Sequence, residues 1–275
     1  MAPAAPTIPE EIARYLRTGE RDPLSFAWPG GPGEGGSLAR RDLRGALIAE
    51  VRRRARGRRQ MRLPTTDTVA LTRAKVEPMV RGLFPRAEQE AVLALLERSV
   101  VFVTGESVEA VLWDASDEPT AWTVANLYLR SVGARLLAKD APRIVGLSVE
   151  TTCYVTPECL QAEDRFADYI VHEAAHVFHN HKRARLGLRA TRTKEWLLEI
   201  AFRQREPFAY ACEAYARVCA LAQSAAERRA LAAEYGRTTR VALPPADRSW
   251  TAAMVAATAS ARNGWKVILA QCAPK

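Results

Sequence analysis

Sixteen residues, DYIVHEAAHVFHNHKR at 168–183, hold all four histidines of the chain, His172, His176, His179 and His181. Tyr169, Ile170, Val171, Ala174, Ala175, Val177 and Phe178 surround them with apolar side chains and no Gly or Pro interrupts, which predicts a helix over roughly 161–184. On a helix, residues four apart stand one above the other, so His172 and His176 can turn ring nitrogens toward a single ion. Glu173 lies one residue's rotation away, where its carboxylate reaches a water at that ion without displacing it. This is the mechanical content of the H-E-x-x-H pattern.

A catalytic zinc takes three protein ligands and leaves a fourth position to water. His179 shares the face of His172 and His176 but lies about 10 Å along the axis from His172. His181 points elsewhere unless the helix breaks at Asn180. Both are expected to orient neighbours or to lie at the surface near the helix C-terminus, and ligation by either stays an open alternative. A later helix, REPFAYACEAYARVCALA at 205–222, offers Glu213 between Ala211, Cys212, Ala214 and Ala216. A charge in such surroundings is costly unless it is paired or bound to a cation, so Glu213 is the expected third ligand. Glu195, Glu199 and Glu206 sit among other charges and read as solvated or orienting groups. Asp168 and Glu206 are placed to orient ligand imidazoles or to lie at the surface. Tyr210, one turn before Glu213, is the expected hydrogen-bond donor to a developing oxyanion, with Tyr215 and Arg217 as alternatives.

The rest of the chain frames this region. Residues 1–39 are rich in Pro and Gly and predict a flexible segment, apart from a short ordered stretch near 9–17. Residues 40–98 predict a mostly helical basic region. In it Leu43, Leu47, Ile48 and Val51 recur at helical spacing over 40–62, and Pro85 divides a second stretch at 72–98. The segments 99–105 and 110–116 read as strands, 119–138 as a helix, and 143–157 as one or two further strands stopped by Pro157. Helices are then expected at 193–204, 207–222, 225–235 and 245–260. Residues 99–275 are taken as one domain. The net charge of +9 comes almost wholly from arginine. No long apolar run and no secretory leader pattern is present, so a cytoplasmic, non-membrane protein is expected. The five cysteines contain no CxxC pair and are expected to be reduced and mostly buried.

His172, Glu173 and His176, followed some thirty-five to forty residues later by a helix reading ACEAYARV, resemble the zincin metallopeptidases of the gluzincin type over roughly 143–222. The longer HExxHxxGxxH pattern is not met, because its glycine position is His179 and its last position Lys182. Four residues after Glu213, where the thermolysin-like form has aspartate, this chain has Arg217. The resemblance implies an α+β, zincin-like fold: a small mixed β-sheet on the HExxH helix, GLSVETTCYV as the substrate-binding edge strand, and a helical C-terminal part. It further implies Zn²⁺ on His172, His176 and Glu213, a peptide or protein substrate, and peptide-bond hydrolysis in which Glu173 assists attack by zinc-bound water. Two other readings stay open. The run Arg52, Arg53, Arg54, Arg56, Arg58, Arg59 and Arg62 is compatible with phosphate contacts, hence with a regulatory protease acting on DNA-bound proteins. A zinc-binding structural protein of the same fold without peptidase activity is the other.

Overall fold

The computed structural model describes residues 6–31, 33–161, 163–239 and 241–274. Among them run α1 (Ile8–Thr18), α2 (Gly35–Ala55), α3 (Thr68–Leu83), α4 (Arg86–Ser99), β1 (Val100–Phe102), α5 (Val108–Asp114), α6 (Glu118–Ser131), β2 (Gly146–Val149), β3 (Thr152–Val155), α7 (Tyr169–Asn180), α8 (Arg205–Leu221), α9 (Ala225–Thr238), α10 (Pro245–Ala259) and α11 (Gly264–Cys272). The protein is thus mixed α/β and mostly helical, with one small three-stranded sheet among the described residues. None of the helices described is long and apolar enough to cross a membrane.

The chain divides into two compact units that do not follow sequence order. One comprises residues 1–63, 102–145 and 156–158 and contains α1, α2, α5 and α6. The expected apolar stripe of α2 is its core: Leu43, Leu47, Ile48 and Val51 are all buried. Buried with them is Arg44, which donates to the carbonyls of Leu112 and Ala115 and so offsets part of the cost of burying its guanidinium. The Pro/Gly-rich N-terminal stretch, of which residues 1–5 and 32 lie outside those described, holds more structure than its composition suggests. Tyr15 on α1 is fully buried and donates to the Glu118 carbonyl at 2.9 Å, and the buried Trp28 donates to Asp42 at 3.0 Å. Part of the arginine run is committed to ion pairs, Arg52 with Glu109, and Arg53 and Arg54 with Glu50. The segment expected as a second strand, 110–116, falls instead within α5. Val108 and Leu112, four apart, are its buried residues, and a short apolar run carries too little period to separate helix from strand.

The other unit comprises residues 64–101, 146–155 and 159–275. Pro85 separates α3 from α4 as expected. β2 and β3 form an antiparallel hairpin, Gly146 opposite Val155 and Val149 opposite Thr152, with Glu150 in the left-handed region (φ 52°) at the turn. Strand order is β1-β3-β2, which leaves β2 at an edge. α7 packs on α8, α3 and the hairpin. Its Ile170, Val171, Ala174, Ala175, Val177 and Phe178 are buried, Phe178 edge-on to Phe84 at 5.1 Å. Asp168 caps α7, accepting from the Val171 N–H and pairing with Lys75 at 2.7 Å. Residues 193–204, expected as a helix, run mostly without helical form. The Leu197 and Leu198 N–H groups donate to the His181 and Phe178 carbonyls at 2.9 Å, so this segment satisfies the open end of α7 that a helix of its own could not reach. Asn263 caps α11, which the sequence reading did not anticipate.

Candidate metal centre

His172 and His176 face α8 from one side of α7, and the two Nε2 atoms stand 3.3 Å apart. Glu206, in the first turn of α8, brings its carboxylate oxygens to 3.7 Å from His172 Nε2 and 3.5 Å from His176 Nε2. One ligand atom from each of the three residues lies within 4.8 Å of the others, a group that could hold a metal ion. Bonds of about 2.0–2.1 Å to a tetrahedral ion imply donor-to-donor edges of about 3.3–3.4 Å; the two Nε2 atoms stand at that spacing, while Glu206 approaches each imidazole through a different oxygen at slightly longer range. His172 is 7% exposed and the His176 side chain 12%, whereas the Glu206 side chain is 59% exposed, so the group opens to solvent on the Glu206 side.

Hydrogen bonding on the far side of each imidazole fixes what faces the centre. His172 Nδ1 lies 3.1 Å from Glu213 Oε2, and a carboxylate there accepts, so Nδ1 carries the proton and Nε2 presents a lone pair. His176 Nδ1 lies 3.4 Å from His179 Nε2. Two imidazole nitrogens and a carboxylate converge within 4 Å, and either a proton shared among them or a bound cation relieves their mutual repulsion. The surrounding field is suited to one. Burial works against charge on His172, yet the hydrogen bond and charge of Glu213, with Glu173 and Glu206 nearby, raise its pKa. Burial and the neighbouring histidines push His176 down to about 2, which keeps it an unprotonated donor. Burial, helped by Arg205, lowers His179 to about 4.

The structure does not bring Glu213 to the ligand position expected for it. Its carboxylate is 4% exposed and accepts from the Asp168 N–H at 2.8 Å and from His172 Nδ1, the nitrogen opposite the cluster. The cost of burying it is met by two N–H donors. The places of Glu206 and Glu213 are therefore exchanged relative to expectation: Glu213 meets His172 Nδ1 on the side away from the cluster, and Glu206 is the carboxylate beside both Nε2 atoms. A readable signal was the spacing of Glu206, Tyr210 and Glu213, which form one stripe on α8. The Asp168 side chain is engaged elsewhere, by the Val171 N–H and Lys75. His179 lies behind His176, and His181 stands outside the cluster.

Glu173 follows His172 on α7 and is not part of the three-residue group. Its Oε2 accepts from the Ser148 hydroxyl at 2.6 Å, tying it to the edge strand β2. Gly146 on the same strand leaves room for it: a Cβ there would lie 2.4 Å from Glu173 Oε1. Burial raises the Glu173 pKa, partly offset by His172 and the Ser148 hydrogen bond. Tyr210 packs its ring edge-on to His172 at 4.5 Å, and burial with the charges of Glu213 and Glu206 pushes its phenol up to about 12. Neither Ser148 nor Gly146 was singled out from the sequence, although both lie in the strand expected to border the site. No family model, no curated protein and no solved structure matches this chain.

Proposed function

We propose that the chain is a zinc-dependent metallopeptidase of zincin-like fold, with His172, His176 and Glu206 holding the ion and Glu173 acting as general base. The observation that carries this reading is the convergence of one donor from each of His172, His176 and Glu206 within 4.8 Å, beside a carboxylate, Glu173, that stands outside the group and accepts from Ser148. Imidazole and carboxylate donors suit zinc, which when bound supplies Lewis-acid polarisation of a carbonyl and lowers the pKa of water. Glu173, its pKa raised by burial, takes the proton of the attacking water and passes it to the leaving nitrogen. Ser148 and the space at Gly146 keep that carboxylate in one place during both transfers. Tyr210 remains a phenol at neutral pH and can donate its O–H where negative charge builds on the carbonyl oxygen. The free edge of β2 offers backbone groups on which an extended peptide can add as a strand, passing Glu173.

The test is Glu173→Gln in the zinc-loaded full chain, assayed on a mixed peptide library beside the wild type. Turnover should fall by about 10²–10⁴-fold with zinc content unchanged. Cleavage by the wild type that Glu173→Gln leaves intact would overturn the proposal, as would a zinc-loaded wild type that cleaves nothing.

A further inference from the structure

Within the same unit a cavity of about 440 Å³ adjoins the cluster, walled by Glu150, His179, Lys182, Arg185, Trp196 and Arg205. Three cations face one carboxylate there. Lys182 is already committed, 2.6 Å from Glu195 and over the Trp196 ring at 5.4 Å. Arg205 lies over the Phe202 ring at 5.3 Å and keeps a buried Nε with no hydrogen-bond partner among the described residues. Arg185 is exposed and forms no ion pair among the described residues.

His179 supplies the second, independent observation. It is 4% exposed, and its Nδ1 is buried without a hydrogen-bond partner among the described residues. When His176 offers a bare Nε2 to an ion, its proton sits on Nδ1 and points at His179 Nε2, 3.4 Å away. That leaves the proton of a neutral His179 on Nδ1, a buried donor lacking an acceptor in the wall of a positively charged cavity. Orphan donors of this kind are costly, and what satisfies this one must accept a hydrogen bond and suits the cavity best if it is anionic.

We infer that this cavity receives a carboxylate of the substrate, either an Asp or Glu side chain or the terminal carboxylate. Arg185 and Arg205 hold it electrostatically, and it accepts from His179 Nδ1. The inference rests on the peptidase reading above and adds a substrate class to it.

The experiment titrates the zinc-loaded Glu173→Gln chain with labelled peptides, followed by fluorescence anisotropy. The peptides differ only by Glu against Gln at one scanned position, or by a free against an amidated C-terminus. A carboxylate at one of these places should tighten binding by about tenfold or more. Adding Arg185→Glu should abolish or reverse that preference, with zinc content and the affinity of the Gln peptide unchanged. Arg185→Ala serves as the milder variant should Arg185→Glu fail to fold. An internal position supports the side-chain source, and the free C-terminus supports the terminal one. Equal affinity for both members of every pair, binding of none, or a preference that survives the Arg185 variants overturns the inference, and bound zinc then leaves the metal centre standing. A chain that takes up no zinc fails the peptidase reading instead, and the same peptide pairs still decide what the cavity accepts.

Discussion

The first and third turns of α8 carry acidic residues on one face, in opposite surroundings. Glu213 is 4% exposed and spends its carboxylate on two N–H donors, one from Asp168 and one from His172. The Glu206 side chain is 59% exposed and stands 3.5–3.7 Å from the Nε2 atoms of His172 and His176. The difference separates two duties that burial alone does not distinguish. A buried carboxylate signals that something satisfies it, and hydrogen-bond donors do so as well as a cation. A carboxylate at the mouth of a site can instead be the group that completes it.

The contrast is broken most visibly by stability. Glu213→Ala leaves the Asp168 N–H and His172 Nδ1 without an acceptor in the interior, which should cost about 2–4 kcal/mol. Thermal unfolding of the metal-free chain should show Tm lowered by roughly 5–15 °C. Glu206→Ala removes an exposed side chain and should stay within about 0.5 kcal/mol of wild type. Equal losses from the two substitutions would contradict the division of duties.

Acid titration of the metal-free chain probes the same cluster through its histidines. His179 titrates at about 4 and His176 at about 2 in the fold, below the value near 6.5 expected in the unfolded chain. Between pH 6.5 and 4 the unfolded state therefore binds more protons at these two residues, and their contribution to stability falls as pH drops through that window. Each contributes up to about 1.4 kcal/mol per pH unit there. His172, with a raised pKa, works the other way: its contribution is present below pH 6.5 and fades as pH rises through its folded value. Glu213→Ala removes the main partner that raises His172, so the acid loss should steepen in that variant. Urea midpoints at pH 7, 6 and 5 measure both slopes, and a wild-type midpoint that holds or rises toward pH 5 would contradict this assignment.

Much of the site was legible because HExxH is a spacing, and spacing on a helix is geometry: His172, Glu173 and His176 fell where the period places them. The 146–155 hairpin was equally readable from its alternation and the Pro157 stop. The exchange of Glu206 and Glu213 was not, because the argument from burial cost counts cations and ignores N–H donors supplied by residues 41 and 45 positions away. Local pattern also failed where tertiary contacts decide. Residues 110–116 were too short for their period to show, and 193–204 gave up helix to cap α7 through Leu197 and Leu198. The cap signal for α11, Asn263 ahead of GWKVIL, is present in the sequence but short and isolated from any strong apolar period.

The central claim is that Glu206 ligates and Glu213 orients. Zinc affinity of the wild type, Glu206→Ala and Glu213→Gln, measured by competition with a chromophoric chelator at neutral pH, tests it most directly. Loss of a ligand should weaken zinc by about 10³-fold or more in Glu206→Ala, against about 10–100-fold for the orienting residue in Glu213→Gln. Wild-type affinity in Glu206→Ala together with lost zinc in Glu213→Gln would reverse the assignment and contradict the account.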